Sequence, residues 1–343
     1  MKKQANLEKD AIIPLFFKYY IPALTGLLSI TINQVIDGLI LGKYVGETGV
    51  AAVGLFGPVI TVFIAFLLTL VIGGGIQISK NIGSKNYEAA QQVFIFITNW
   101  TILLGGLISL SIPFAPGYLA DLLAGAENIT LHQHTYDYIF WAFIWIPFFF
   151  IRVLWGSVIN HDNAPKVSRN ASLIAVIFNI ILNIVLVIFL GMGVEGASIA
   201  TGIAIVISVI YLWGYLLKEK GHLKIRQFRF NLVYKELKEL TFHCLPTFVS
   251  ELSFSVGLLL INTRLVPHGA GPVSSFGIIT FISFIFLRLF TSAMVSALPI
   301  MSFNIGAKLA GRVLETIKNA MGITIGLGIL VGGVGSLFSK QQK

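Results

Sequence analysis

The chain has a single cysteine, Cys244, among its 343 residues. An internal disulfide and a cysteine-rich metal centre are therefore excluded. Charge is scarce too: only 11% of residues are Asp, Glu, Lys or Arg, where soluble domains carry about 25%. No phosphate-cradling loop is present. The run Gly73–Gly75 is followed by Ile76 and Gln77 rather than by a Lys-Ser/Thr pair, so nucleotide-driven chemistry is not expected. His132 and His134 fall in a loop without a Cys or acidic partner close by, and no metal site is expected there. The opening MKKQANLEKDAIIPLFFKYY has no short apolar run ending in a small-residue cleavage site, so no cleaved signal peptide is expected. Nothing in the sequence reads as an enzyme motif.

What is abundant is apolar surface. Hydrophobic residues make up 56% of the chain, and mean hydropathy is +0.86. A span needs about 20 apolar residues, and nine helices are predicted near 14–41, 52–78, 92–113, 134–159, 168–190, 194–217, 241–264, 274–302 and 313–338. The expected fold is an all-α, polytopic transmembrane helix bundle with the lipid bilayer as its principal partner.

Most of the 24 Lys and Arg fall in alternate connections. Lys2, Lys3, Lys9 and Lys18 lie at the start, Lys80 and Lys85 after the second helix, Lys166 and Arg169 after the fourth, and seven more between 218 and 240. Lys43 and Arg264 lie on the other side. Positive residues stay in the cytoplasm, so the N-terminus is expected inside, in a multi-pass protein of the cell (inner) membrane. The basic excess then marks topology and anionic lipid, not nucleic acid.

An internal repeat runs through the chain. FFKYYIPALTGLLS (16–29) parallels LTFHCLPTFVSELS (240–253), with Pro22 matching Pro246. NIGSK (81–85) matches NIGAK (304–308) at nearly the same offset. The copies share orientation, as parallel transporter repeats do. Three regions follow: a six-helix N-terminal lobe at 1–217, a cytoplasmic basic linker at 218–240 and a partial C-terminal lobe of three helices at 241–343. Two full copies would outrun 343 residues, so the second lobe is expected to lack three helices.

The stretches INQVIDGLILGKYVG, AAVGLFGPV, ISKNIGSKN, NAPKVSRNASLIAVIFNIILNIVL, GMGVEGASIATGIA and ALPIMSFNIGAKLAGRV, in this order, resemble the multidrug and toxic compound extrusion (MATE) transporters. The resemblance implies two six-helix lobes around a cleft, and antiport of small, cationic or amphiphilic compounds against protons or sodium, with no other cofactor. A lipid-linked saccharide flippase of the same superfamily, or a non-transporting remnant or accessory membrane subunit, are the alternatives. A monomer is expected, with the three missing helices as an open requirement.

Asp37 stands in an apolar helix, where an ionised carboxylate costs about 2.5–3.5 kcal/mol at the membrane centre. Either it caps the helix end, or it accepts a proton or cation in a polar pocket. Asn179 and Asn183, four apart, share one helix face and read either as interhelical glue or as partners of that pocket. In the family an Asn, an acid four residues later and a helix 6 threonine surround the first-helix acid. By that resemblance Asp37, Asn179, Asn183 and Thr201 form the ion-coupling set, with Asn183 departing from the family's acid. Gln34, Tyr138, Glu251 and Arg288 are candidate substrate-cavity residues. A buried Arg288 calls for an acid or carbonyls beside it, and Glu251 is one candidate partner.

Overall fold

The computed structural model describes residues 6–125, 128–225 and 270–340, with scattered helical residues between 248 and 264. Among the described residues there is no strand. The helices are α1 (Ile12–Tyr44), α2 (Glu47–Gly83), α3 (Tyr87–Leu110), α4 (Ala115–Ala124), α5 (Ile129–His161), α6 (Pro165–Asn183), α7 (Gly193–Leu217), α8 (Ala270–Gly306) and α9 (Ala310–Lys340). A π-helical segment, Ile184–Phe189, continues α6. Eight of these helices are long and apolar enough to cross a bilayer. Leu110, Phe189 and Ile329 are 74, 77 and 72% exposed, an outward apolar surface that suits lipid rather than water. The chain is a multi-pass membrane protein built as an all-α bundle.

Boundaries follow local chemistry. The expected helix at 92–113 starts earlier, at Tyr87, because the Asn86 side chain accepts the Ala89 N–H at 3.1 Å and caps it. The short α4 was not anticipated: at ten residues it leaves no spanning signal. Asn128, in the sequence Asn-Ile-Thr, caps α5 by accepting the Leu131 N–H at 3.0 Å. His132 departs from expectation, since its Nε2 lies 2.8 Å from Asp121. The linker beyond Ile225 and Glu251 lie outside the described residues.

Helix α5 is the central column, packed on α2, α3, α4, α6 and α7. Phe94, Ile97, Phe143, Phe150 and Leu154 fill the space between them. In lipid such packing acts through close contact rather than by expelling water. Small residues serve that closeness. The buried face of α6 is the four-spaced stripe Ala171, Ala175, Asn179 and Asn183, which lets α7 approach. Helix α1 lies against α6 on one side and α8 on the other. Its first turns bury Phe16, Tyr19 and Tyr20 against Ala293, Ala297 and Ile300 of α8.

The repeat is visible in the backbone. Lys85 and Lys308 both take left-handed φ, 62° and 59°. The turns around them close with the same bonds: Lys85 N to Ile82 O at 3.0 Å and Asn86 N to Asn81 O at 2.8 Å, then Lys308 N to Ile305 O at 3.1 Å and Leu309 N to Asn304 O at 2.9 Å.

The face of the bundle that carries the N-terminus also holds the start of the linker. Asp162, 2% exposed, accepts the His222 N–H at 2.9 Å and the Leu223 N–H at 3.3 Å, and pairs with the His222 ring at 2.7 Å. Tyr87 stacks on that ring with centroids 4.7 Å apart. Gln91 clamps the next residue, donating to Lys224 O at 2.8 Å and accepting from Lys224 N at 2.9 Å.

Candidate functional site

Asp37 sits on α1 at the level where α6 gives way to its π segment. Two amides hold it. Asn33, one turn earlier on the same helix, donates from Nδ2 to Asp37 Oδ2 at 2.9 Å. Asn183 donates from α6 to Asp37 Oδ1 at 2.8 Å. The same Asn183 Nδ2 reaches Asn179 Oδ1 at 2.9 Å. Asn179 Nδ2 donates onward to Thr201 Oγ1 of α7 at 2.9 Å, and Thr201 closes the chain by donating to Ala197 O at 3.0 Å. A continuous polar line thus joins α1, α6 and α7 through an apolar bundle. Asn183 and Asn179 are 1 and 3% exposed, so these bonds face no competition from water.

The local backbone explains the convergence. Asn179 and Asn183 share a face because they are four apart, and Asn183 is the last α-helical residue before the wider π turns. Such π segments recur beside functional residues because they re-aim side chains. Gly191 and Gly193 then reverse the chain with φ of 65° and 58°, and α7 returns beside α6 with Thr201 in register. Gly202, next to Thr201, lies so close to Trp145 of α5 that an added Cβ would overlap the indole.

Two acceptors are left over. Asn33 Oδ1 and Asn183 Oδ1 are buried and have no hydrogen-bond partner among the described residues. Both belong to amides already bound to Asp37. An orphaned buried carbonyl costs about 1–3 kcal/mol, so the two amides that hold the carboxylate each keep an oxygen short of a donor. A proton on Asp37 would turn the carboxyl into a donor toward one of these oxygens. A sodium ion would find the carboxylate and amide oxygens that hard cations prefer.

The four residues expected to act together, Asp37, Asn179, Asn183 and Thr201, do meet. Asn33 was missed; its signal was the four-residue spacing to Asp37. The cavity candidates are more scattered. Tyr138 is half-buried on α5, packs edge-on against Phe56 at 5.7 Å, contacts the Leu41–Val194 cluster and lies within electrostatic reach of Asp37. Gln34 is exposed. Arg288 is on α8, two turns from Asp37 along the bundle, and donates from Nε to Thr31 Oγ1 of α1 at 3.2 Å. Trp141 donates to Glu195 Oε1 at 2.8 Å, tying α5 to the start of α7.

The sequence pattern of the MatE family matches residues 22–185. The chain is 26% identical over 271 residues to the multidrug export protein MepA of Staphylococcus saprophyticus, covering 79% of this chain and 60% of that protein. It is 24% identical over 316 residues to MepA of Staphylococcus aureus, covering 91% and 68%. Thus the chain spans about 60% of the length of the first curated relatives it matches. Among solved structures, a MOP superfamily transporter from Pyrococcus furiosus superposes with TM-score 0.89 at 20% identity, covering 99% of this chain and 76% of that one. The MATE multidrug transporter DinF-BH superposes with TM-score 0.87 at 26% identity, covering 99% and 78%. In sequence pattern and in fold, the chain is thus similar to the MATE transporters.

Proposed function

We propose that this chain takes part in secondary active export of small amphiphilic compounds, cationic ones above all, in exchange for protons or sodium. The observation that carries this reading is the Asn183–Asp37 bond of 2.8 Å: a carboxylate in a membrane helix, gripped by amides from two helices and flanked by two unsatisfied oxygens. The relatives named multidrug export proteins support the export side.

The coupling logic is physical. An ionised Asp37 accepts from both Asn33 and Asn183 and so ties α1 to α6. Uptake of a proton removes an acceptor and adds a donor. Uptake of sodium pulls the amide oxygens round in place of the N–H groups. Either event changes the α1–α6 bond, and α1 also packs on α8, so ion occupancy is linked to the packing of α1 between them. Differential affinity of the ion for two arrangements of α1 is what antiport requires. The membrane is proposed to be the cell (inner) membrane, with the N-terminal face in the cytoplasm as its basic connections indicate. The test is fluorescent-cation transport in proteoliposomes under an imposed proton or sodium gradient; a chain that moves no substrate under either gradient would contradict the reading.

A further inference from the structure

A cavity of about 90 Å³ lies on the N-terminal side of the bundle, where the first turns of α6 meet α1, the end of α5 and α8. Pro22, Asn160, Ser168, Arg169, Ser172 and Val295 are in its wall, and no acid is. Arg169 lines it directly. The acceptor of its guanidinium is the neutral Asn170 Oδ1, at 3.1 Å from Nε and 2.8 Å from Nη2. Behind Ser172 stands a second cation: Arg152 of α5 donates from Nη2 to Ser172 Oγ at 3.1 Å. The Arg152 Nε is shielded from solvent and has no hydrogen-bond partner among the described residues. No ion pair within 4.0 Å joins either arginine to a carboxylate among the described residues.

An arginine inside a membrane bundle needs an anion or several carbonyls. Here Arg169 lines the cavity with one amide carbonyl as its acceptor, Arg152 stands behind Ser172, and neither has an anion beside it among the described residues. The other surroundings favour an anion as well. Helix α6 begins at Pro165, which also lines the cavity, so the positive end of a 19-residue helix lies against it. Ser168 adds a hydroxyl donor, and the Ser172 hydroxyl, which donates to Ser168 O at 3.4 Å, would turn from that long bond toward an anion. The volume holds roughly three waters at ~30 Å³ each, enough for one tetrahedral oxyanion.

Depth narrows the source. Helix α1 has 33 residues, about 50 Å of helix against a hydrocarbon core of about 30 Å. Centred on the core, α1 overhangs it by about 10 Å at each end, and Pro22, roughly 15 Å from the start of α1, falls about 5 Å inside the core edge, one helical turn below the headgroups.

We propose that this cavity binds a phosphate group, with Arg169, Ser168 and Ser172 as direct donors and Arg152 held behind Ser172 as supporting charge. The phosphate is that of an anionic phospholipid headgroup or free phosphate; the chemistry is the same. Occupancy would brace α1, α5, α6 and α8 together. The proposal does not rest on the role of Asp37.

The experiment is isothermal titration of the purified full chain in neutral detergent with three probes: inorganic phosphate, dioctanoyl phosphatidylglycerol and dioctanoylglycerol. A phosphate-bearing probe should bind, and the neutral diglyceride should not. Arg169→Gln should weaken binding at least tenfold, Arg152→Gln should weaken it as well, and Arg169→Lys should restore part of it. Lys166→Gln, an exposed neighbour on the same turn, should bind like the unaltered chain. Binding of phosphatidylglycerol alone identifies a headgroup site, and binding of both phosphate probes identifies a site for the free anion. Should Arg169→Gln fail to fold, Ser172→Ala gives the same reading. The proposal is overturned if no phosphate probe binds, if dioctanoylglycerol binds equally, if the arginine variants bind undiminished, or if Lys166→Gln loses as much as Arg169→Gln.

Discussion

Gly83 and Gly306 pack reciprocally where α2 crosses α8. A Cβ on Gly83 would overlap the carbonyl oxygen of Phe303, and a Cβ on Gly306 would overlap that of Lys80. Residues 80 and 303, like 83 and 306, are separated by one repeat. The crossing is therefore self-complementary, as an interface between two like units is. Both glycines meet backbone, which cannot swing aside. Gly83→Ala and Gly306→Ala should each destabilise the chain by about 1–3 kcal/mol or more. Thermal unfolding in detergent checks this, with Gly106→Ala as control, since nothing lies within 4 Å of a Cβ there.

Gly202→Ala tests the support of the polar line. The new methyl would collide with the Trp145 indole, and relief requires α5 and α7 to separate or the ring to turn. Either moves Thr201 away from Asn179. The expected outcome is a stability loss of about 1–3 kcal/mol with a larger proportional loss of gradient-driven transport, compared at matched amounts of folded protein.

Asn183→Asp places a second carboxylate against the first. The 2.8 Å amide bond to Asp37 becomes a like-charge contact, which holding a cation relieves. Sodium chloride should then raise the melting temperature of Asn183→Asp more than that of the unaltered chain at equal ionic strength, because a ligand bound only by the folded state stabilises it. Choline chloride is the control salt. Equal responses would show that the Asn183 position is not part of a cation site.

The strap at His222 carries a pH dependence. Its hydrogen bond to Asp162 raises the imidazole above the ordinary value of 6.5, partly opposed by burial, with the Asp162 charge adding to the rise. A raised folded-state value means the contribution is fully present below about 6.5 and fades as pH climbs through the higher folded value. The ring is 41% exposed, so solvent screening keeps the effect under about 1 kcal/mol. Between pH 5.5 and pH 8.5 the unaltered chain should lose more stability than His222→Gln does, by melting temperature. Identical pH profiles would remove the strap from the account.

Much of this architecture was legible because hydropathy over some twenty residues is a strong signal. Helices α1, α2, α5 and α7 lie where apolar runs put them, and the repeat Asn-Ile-Gly-Ser/Ala-Lys marked two turns that share backbone geometry. Asp37 and the pair Asn179–Asn183 stood out as polar groups in apolar helices. Asn33 did not, because an amide beside Gln34 reads as an ordinary polar helix face until its bond to Asp37 is seen. The π segment after Asn183 has no sequence signature in an unbroken apolar run. The Asp162–His222 pair joins residues 60 apart, and the arginines around the α6 cavity are brought together only by packing. Local signals fix elements; contacts between elements depend on side-chain volumes that a single sequence does not display.

On the proposed function, Asp37 is the ion-responsive group of the bundle. The most direct measurement is efflux of a fluorescent organic cation from proteoliposomes under an imposed proton or sodium gradient, comparing the unaltered chain with Asp37→Asn. The substitution keeps side-chain volume and removes a charge from the membrane, so the variant should insert and unfold at least as well as its parent. Its gradient-driven export should nevertheless fall to the level of empty vesicles, while the unaltered chain responds to at least one of the two gradients. Export by Asp37→Asn at the parent's rate and with the parent's gradient dependence would contradict the account and leave the carboxylate as a polar link between α1 and α6.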